Sequence, residues 1–357
     1  MCLPMQRVFL LFWGAMKKIF LYIFVVLVFA GSWAAWLVFG PATSFESKSK
    51  FLFIRPDKDV KTQVLDQMDN GLINHSVVFD WLAANASVWE KVKPGRFEIK
   101  KDENLFNIVR MLRNNTQSPV RLIINKWRVK EDFARQIARN FDIDSATAMQ
   151  YFLSNDSLKT FNVDTNTLFT LIIPDTYFIK WNSTLPDIIG KLQSENDKFW
   201  QNDNRLQRAA DAGLTPQQVY TIASIIEEET NKNDEKGNVA SVYINRWHKG
   251  MALGADPTIK YALRDFSIKR ILYGHLKVES PYNTYRNKGL PPGPVCTPSK
   301  ITIDAVLDAP RTDYLFFVAK SDFSGYHHFS TNYAEHEQYA KAYQHALDEW
   351  MARKQKQ

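Results

Sequence analysis

The chain has 357 residues, 45% hydrophobic and 13% aromatic, and its 45 Lys and Arg against 38 Asp and Glu leave a net charge of +7. That apolar content excludes a disordered chain and suffices for one or two folded domains plus a membrane segment. The only cysteines, Cys2 and Cys296, flank the apolar N-terminal run, which excludes an internal disulfide beyond it. The basic balance suits an anionic membrane surface or a carboxylate-bearing glycan, and with no long Lys/Arg run nucleic acid is not an expected partner.

From Ile19 to Gly40, IFLYIFVVLVFAGSWAAWLVFG carries no charge over 22 residues. At about 1.5 Å per residue this reaches roughly 33 Å, a bilayer core, and predicts a transmembrane helix over 19–40 behind a short cytoplasmic segment, 1–18. Lys17 and Lys18 precede it, and Trp33 and Trp36 stand where an aromatic belt belongs. The run exceeds the apolar core of a cleaved signal peptide. Arg7, Lys17 and Lys18 before it balance Lys48, Lys50 and Arg55 after it, so orientation rests on size: a long following domain translocates largely regardless of charge. The expectation is a single-pass inner-membrane protein with its folded part outside the cytoplasm. Met16, followed by KKIF, offers a second start of translation.

PATSFESKSK (41–50) is a short polar tether, and 46–122 is expected to form a small α+β module. SKFLFI is a strand, and DVKTQVLDQMDNGL a helix with Val60, Val64, Leu65 and Met68 on one stripe. SVVFDWLAANA is a second helix, KPGRFEI turns into a strand, and NLFNIVRMLRNN is a helix striped by Leu105, Ile108, Val109 and Leu112.

The second expected domain, 123–350, is a larger α+β region. PVRLIINKW opens it as a strand, KEDFARQIARNF and TAMQYFLSN are helices, and Pro174 in LIIPDTYFI argues for a loop or edge. PDIIGKLQSENDKFWQNDNRL predicts one long helix. In TPQQ, Thr215, Pro216 and Gln218 supply a cap, a first-turn proline and the reciprocal capping position, so a helix starts at about Pro216. It carries Val219, Ile222, Ala223 and Ile226 into three glutamates, Glu227 to Glu229.

On a helical wheel the apolar stripe centres near Ile226. Glu228 points away and is expected to be solvated, while Glu227 and Glu229 lie on opposite flanks, where partial burial raises a carboxyl pKa as a general acid requires. The bland alternative is a helix end with one paired and two solvated glutamates. A metal is not expected: no His follows four residues on, and His327, His328, His336 and His345 fit no common zinc spacing. Cys296 in GPVCTP is more often a packed residue than a nucleophile. No phosphate-binding glycine loop is present and no cofactor is expected; the Pro-rich NKGLPPGPVCTPS is either a cleft wall or a connector.

In this order, ASIIEEET, VASVYINR, MALGADPTIKYAL, SPYNTYRNKGLPPGPVCTPS, YLFFVA and HHFSTNYAEH resemble the YceG-like family of endolytic peptidoglycan transglycosylases, over about 215–345. The resemblance implies a YceG-like catalytic domain, a LysM-like module around PGRFEI, and peptidoglycan strands as substrate beside the synthases that make them. IIPDTY also matches the family. The family's catalytic glutamate, first of its Glu-x-Glu-Thr motif, falls on Glu227, and its second acidic position on Glu229. Asp256 matches the family's Asp-Pro-Thr, Asn283 and Tyr285 its Tyr-Asn-Thr-Tyr, and His328 the histidine before its phenylalanine; these are substrate-binding or supporting positions. Gly254 stands where the family often has glutamine, and Asn125-Lys126 and Phe169-Thr170 replace two expected Glu-Gly pairs.

The resemblance further implies that Glu227 protonates the leaving oxygen and the muramic 6-hydroxyl then closes a 1,6-anhydro ring, with no second carboxylate. A hydrolytic muramidase and a non-catalytic membrane-anchored glycan-binding scaffold are the alternatives. Residues two apart on a helix diverge by about 200°, so Glu227 and Glu229 make a poor carboxylate pair.

Overall fold

The structure, a computed structural model, describes residues 5–355. Its contacts divide the chain between Pro119 and Val120 into two compact units, the first also taking in Lys180–Asn182.

The first unit opens with helix α1 (Met5–Phe39), of which Met16–Phe39 is long and apolar enough to cross a membrane and is not buried by protein. Strand β1 (Ser49–Ile54), helices α2 (Val60–Asp69), α3 (Ser76–Asn85) and α4 (Val88–Lys91), strand β2 (Gly95–Lys100) and helix α5 (Leu105–Arg113) follow. β1 and β2 pair antiparallel with Leu52 opposite Phe97, and strand alternation sends Leu52, Ile54, Phe97 and Ile99 into the core. Val64 and Met68 of α2 and all four expected stripe residues of α5 close over them. On the opposite face Phe53 packs on Trp181, ring centroids 4.8 Å apart. The module is thus a small α+β unit, as its periodicities predict.

The second unit is mainly helical with two antiparallel ribbons: β3 (Val120–Ile123) with β4 (Thr176–Ile179), and β5 (Phe316–Ala319) with β6 (His327–Ser330). Between the first two strands run α6 (Lys130–Asn140), α7 (Ser145–Phe152) and α8 (Asn155–Leu158); Pro174 lies in the bend before β4. Then come α9 (Leu185–Gln201), α10 (Arg205–Asp211), α11 (Pro216–Glu229), α12 (Lys236–His248), α13 (Asp256–Leu263), α14 (Lys300–Leu307) and, after β6, α15 (Tyr333–Gln355). The single long helix expected from Pro186 onward is two. Asp203 and Asn204 take left-handed φ of 55° and 52°, which ends α9, and Arg205 restarts α10 with both arms of its guanidinium on Asp304, at 2.8 and 3.0 Å.

α11 is the axis of this unit. Every residue from Val219 to Ile226 is buried, so the helix is enclosed by α10, α12, α13, α14 and the turn Leu168–Leu171 rather than lying on the surface. Only its last turn, the three glutamates, leaves the core.

Candidate active site

α11 starts as its sequence dictates. Thr215 accepts from the Gln218 amide and Gln218 reaches back to the Thr215 amide, a capping box with Pro216 in the first turn. Fourteen residues later the same helix delivers three carboxylates into three different surroundings.

Glu227 meets the head of α14. Its Oε2 accepts from the Thr302 hydroxyl, from Ser299 Oγ at 2.9 Å and from the Ser299 amide at 3.4 Å, with Lys236 Nζ at 3.3 Å. Ser299 is the N-cap of α14, so this oxygen occupies the site where a helix N-terminus favours an anion. Oε1 faces Lys126 Nζ at 3.9 Å, and the side chain keeps 14% of its surface exposed. Burial pushes the carboxyl up, but Thr302, Lys236, Ser299 and Lys126 together outweigh it and hold Glu227 below the ordinary carboxylate range.

Glu228 is not solvated. Arg128 donates to it through two parallel bonds of 3.0 Å, Lys126 Nζ lies 3.2 Å from Oε1, and only 17% of the side chain is exposed. The wheel sends it away from the α11 core, but the loop after β3 arrives from a hundred residues upstream to cover it.

Glu229 goes the other way. The Tyr243 hydroxyl donates to Oε1 at 2.6 Å. Burial pushes the carboxyl up to about 7; Tyr243 holds it back, the Asp256 charge adds to the rise, and Lys260 and Arg246 oppose it. Desolvation therefore raises the pKa at Glu229 and fails to do so, on balance, at Glu227.

The structure brings Asp256 and Tyr285 to the Glu229 side. The Tyr285 hydroxyl donates to Asp256 Oδ1 at 2.6 Å, and burial, then Asp256, pushes that hydroxyl up. Arg246 is fixed by the Leu253 and Leu315 carbonyls at 2.6 Å each. Asn283 is fully buried and supports the loop: its amide donates to Leu276 and Val278 carbonyls at 2.9 and 2.8 Å and its Oδ1 accepts from the Tyr285 amide. His328 stacks its ring on Tyr339 of α15, centroids 4.1 Å apart, while its neighbour His327 pairs with Glu235 at 3.1 Å. Among the described residues no three or more His, Cys, Asp or Glu converge as for a metal.

Lys236, Ser299, Thr302, Tyr243, Arg246 and Arg128 are site residues that sequence patterning does not single out. Three carried a signal: Ser299 precedes the apolar run of α14 as a cap should, and Tyr243 and Arg246 share one face of α12 at i, i+3. The Pro-rich loop is a packed connector. Gly293 admits no side chain, since a Cβ there would lie 2.1 Å from the Asn166 carbonyl oxygen. The Val295 amide donates to Ser224 Oγ at 3.0 Å, and Thr297 and Trp127 exchange two hydrogen bonds of 2.8 and 2.9 Å. Cys296 is buried, and its thiol, pushed well up by that burial, donates to the Ser224 carbonyl at 3.3 Å.

Fold and site together define a mixed helix-and-sheet chain that gathers three carboxyl groups, in three different surroundings, at the end of one buried helix. The sequence profile of the YceG-like family matches residues 53–342, and the chain belongs to that family. An endolytic murein transglycosylase of Bacillus subtilis (strain 168) is 36% identical over 152 residues, 42% of this chain and 41% of its own. One of Streptococcus pneumoniae serotype 2 (strain D39 / NCTC 7466) is 25% identical over 297 residues, 75% of this chain and 53% of its own. The chain thus spans about half the length of the curated relatives it matches. A crystal structure of a YceG-like protein from Listeria monocytogenes shares the fold, with a TM-score of 0.53 at 23% identity over 82% of this chain and 99% of that one.

Proposed function

We propose that this chain is a membrane-anchored endolytic murein transglycosylase: it cleaves the MurNAc–GlcNAc bond of peptidoglycan strands, leaves 1,6-anhydro-MurNAc ends and so terminates strand elongation beside the synthases. What carries the reading is the largely buried Glu227 carboxylate, gripped through one oxygen at the head of α14 with the other faced by Lys126 Nζ at 3.9 Å, in a member of a family whose named relatives are murein transglycosylases.

In the proposed cycle Glu227 gives its proton to the leaving oxygen as the C1–O bond breaks and C1 becomes oxocarbenium-like. The muramic 6-hydroxyl attacks C1 and returns its proton to Glu227, so the residue ends as it began and no water is consumed. Intramolecular attack brings a large effective concentration, which is why no second carboxylate is required. The free protein holds Glu227 ionised, as the second half demands; the first half requires a proton gained on binding, which expelling water from over Oε1 favours.

One observation favours a second reading. Glu229 is the carboxyl whose proton affinity sits near neutrality, next to Asp256 and Tyr285, and as the acid it would shift the assignment by two residues. In the first reading it supports the site, with Asp256, Asn283, Tyr285 and His328.

The first unit is read as a LysM-like module on its PGRFEI strand and its small α+β core, and α1 as an inner-membrane anchor with the folded units outside the cytoplasm. The test is a digest of purified peptidoglycan by the full chain in detergent, with mass spectrometry of the products and Glu227→Gln and Glu229→Gln alongside. Anhydro ends lost only in Glu227→Gln support the proposal, and anhydro ends lost only in Glu229→Gln move the acid. Reducing ends would make the protein a muramidase; no products would leave a glycan-binding scaffold.

A further inference from the structure

The two oxygens of Glu227 are unevenly served. Oε2 takes the donors of α14 together with Lys236, while Oε1 is faced by Lys126 Nζ at 3.9 Å. Lys126 stands on the loop between β3 and α6 with 31% of its side chain exposed. The same Nζ lies 3.2 Å from Glu228 Oε1 and 3.4 Å from the Glu227 carbonyl oxygen. Glu228, however, already has a bidentate partner in Arg128, which is itself steadied over the Phe266 ring at 5.3 Å. Lys126 is thus not required to neutralise Glu228, and a cation parked at the reactive oxygen favours the ionised form, the wrong one for an acid.

A partly exposed lysine is a mobile point charge on a four-carbon stem, unlike the forked, stacked Arg128, and it can exchange one carboxylate for another at little cost. We propose that Lys126 is a specificity-determining residue, leaving Glu227 to pair with a carboxylate carried by the glycan, so that an anionic strand clears the acid's free oxygen as it binds. The inference rests on the functional reading above. Once Lys126 turns away, Glu227 faces Lys236 of α12, Ser299 and Thr302 of α14, the neutral Cys296 thiol and the closed Glu228–Arg128 pair. One of its two nearby cations is gone, so its proton affinity rises when a bond is ready to be protonated. In peptide-bearing strands the carboxylate belongs to the stem peptide; in peptide-free strands it is the lactyl group of muramic acid.

The experiment measures kcat/KM of the full chain in detergent on peptide-bearing strands, on amidase-treated peptide-free strands, and on each after carbodiimide conversion of carboxylates to neutral amides. Wild type is expected to prefer the carboxylate form roughly tenfold, the worth of one charge-assisted hydrogen bond. Lys126→Met is expected to lose that ratio and Lys126→Arg to keep it. On amidated strands the alkaline limb of the kcat/KM profile is expected at higher pH in Lys126→Met than in wild type, because the free protein has lost a cation at Oε1. The strand type that shows the ratio identifies the carboxylate as stem or lactyl. A ratio retained in Lys126→Met, or absent in wild type, overturns the inference while leaving the transglycosylase standing. Lys126→Gln carries the same expectation where the methionine chain does not fold. No anhydro ends from any substrate with wild type would overturn the functional reading and this inference with it.

Discussion

Glu227 and Glu229 are two positions apart on one helix end, and the diverging directions of their side chains decide what each becomes. Glu227 turns to two cations and the α14 cap, Glu229 to a tyrosine and a second carboxylate. Glu227→Gln keeps the shape and the Oε2 donors' partner but cannot carry the proton, so product formation is expected to fall by about 10²-fold or more in a digest assay. At Glu229 the consequence is for stability. A carboxyl raised from 4.5 to about 7 in the folded state binds protons that the unfolded chain releases, so its contribution is fully present below pH 4.5 and is lost as pH rises through about 7. The unfolding free energy from denaturant titrations is expected to fall over that window by an amount on the order of 3 kcal/mol, and to fall much less in Glu229→Gln. The wheel separates the two flanking glutamates from the middle one, but the donors that hold these carboxylates lie elsewhere in the chain: Ser299 and Thr302 for Glu227, Arg128 for Glu228. No local periodicity reaches that far, and the solvated Glu228 it predicts is instead the most firmly ion-paired of the three.

Elements whose burial is amphipathic are readable from spacing, and elements that are wholly enclosed or interrupted are not. The stripe Leu105, Ile108, Val109 and Leu112 faces inward throughout, and the Thr215–Gln218 capping box is present as its residues specify. By contrast the break at Asp203 and Asn204 falls among polar residues that a helix tolerates, and backbone geometry rather than pattern reveals it. The Pro-rich segment, equally a wall or a connector by composition, is a connector because α11 holds it: Ser224, fully buried, donates to its own helix and accepts the Val295 amide. Ser224→Ala leaves that amide buried without a partner. Its expected cost is about 1–3 kcal/mol of unfolding free energy, read by chemical denaturation.

At the scale of the whole chain, α1 and the folded units answer to different solvents. The apolar window within Met16–Phe39 is not buried by protein, so on the proposed anchoring lipid would cover it, and the chain is expected to stay with membranes through carbonate extraction. Alkaline phosphatase fused after the last residue is expected to be active, since the proposed topology exports the C-terminus; inactivity there with a fluorescent cytoplasmic reporter would invert it. The enclosed Cys296 makes a further property of the second unit measurable. A thiol whose hydrogen is engaged by the Ser224 carbonyl, and whose ionisation burial suppresses, reacts with an alkylating reagent only when the α11–loop contact opens. With Cys2 replaced by serine, the native alkylation rate divided by that of an unfolded chain is an equilibrium constant. The protein therefore carries, without any added probe, a chemical gauge of how often the floor beneath its carboxyl groups comes apart.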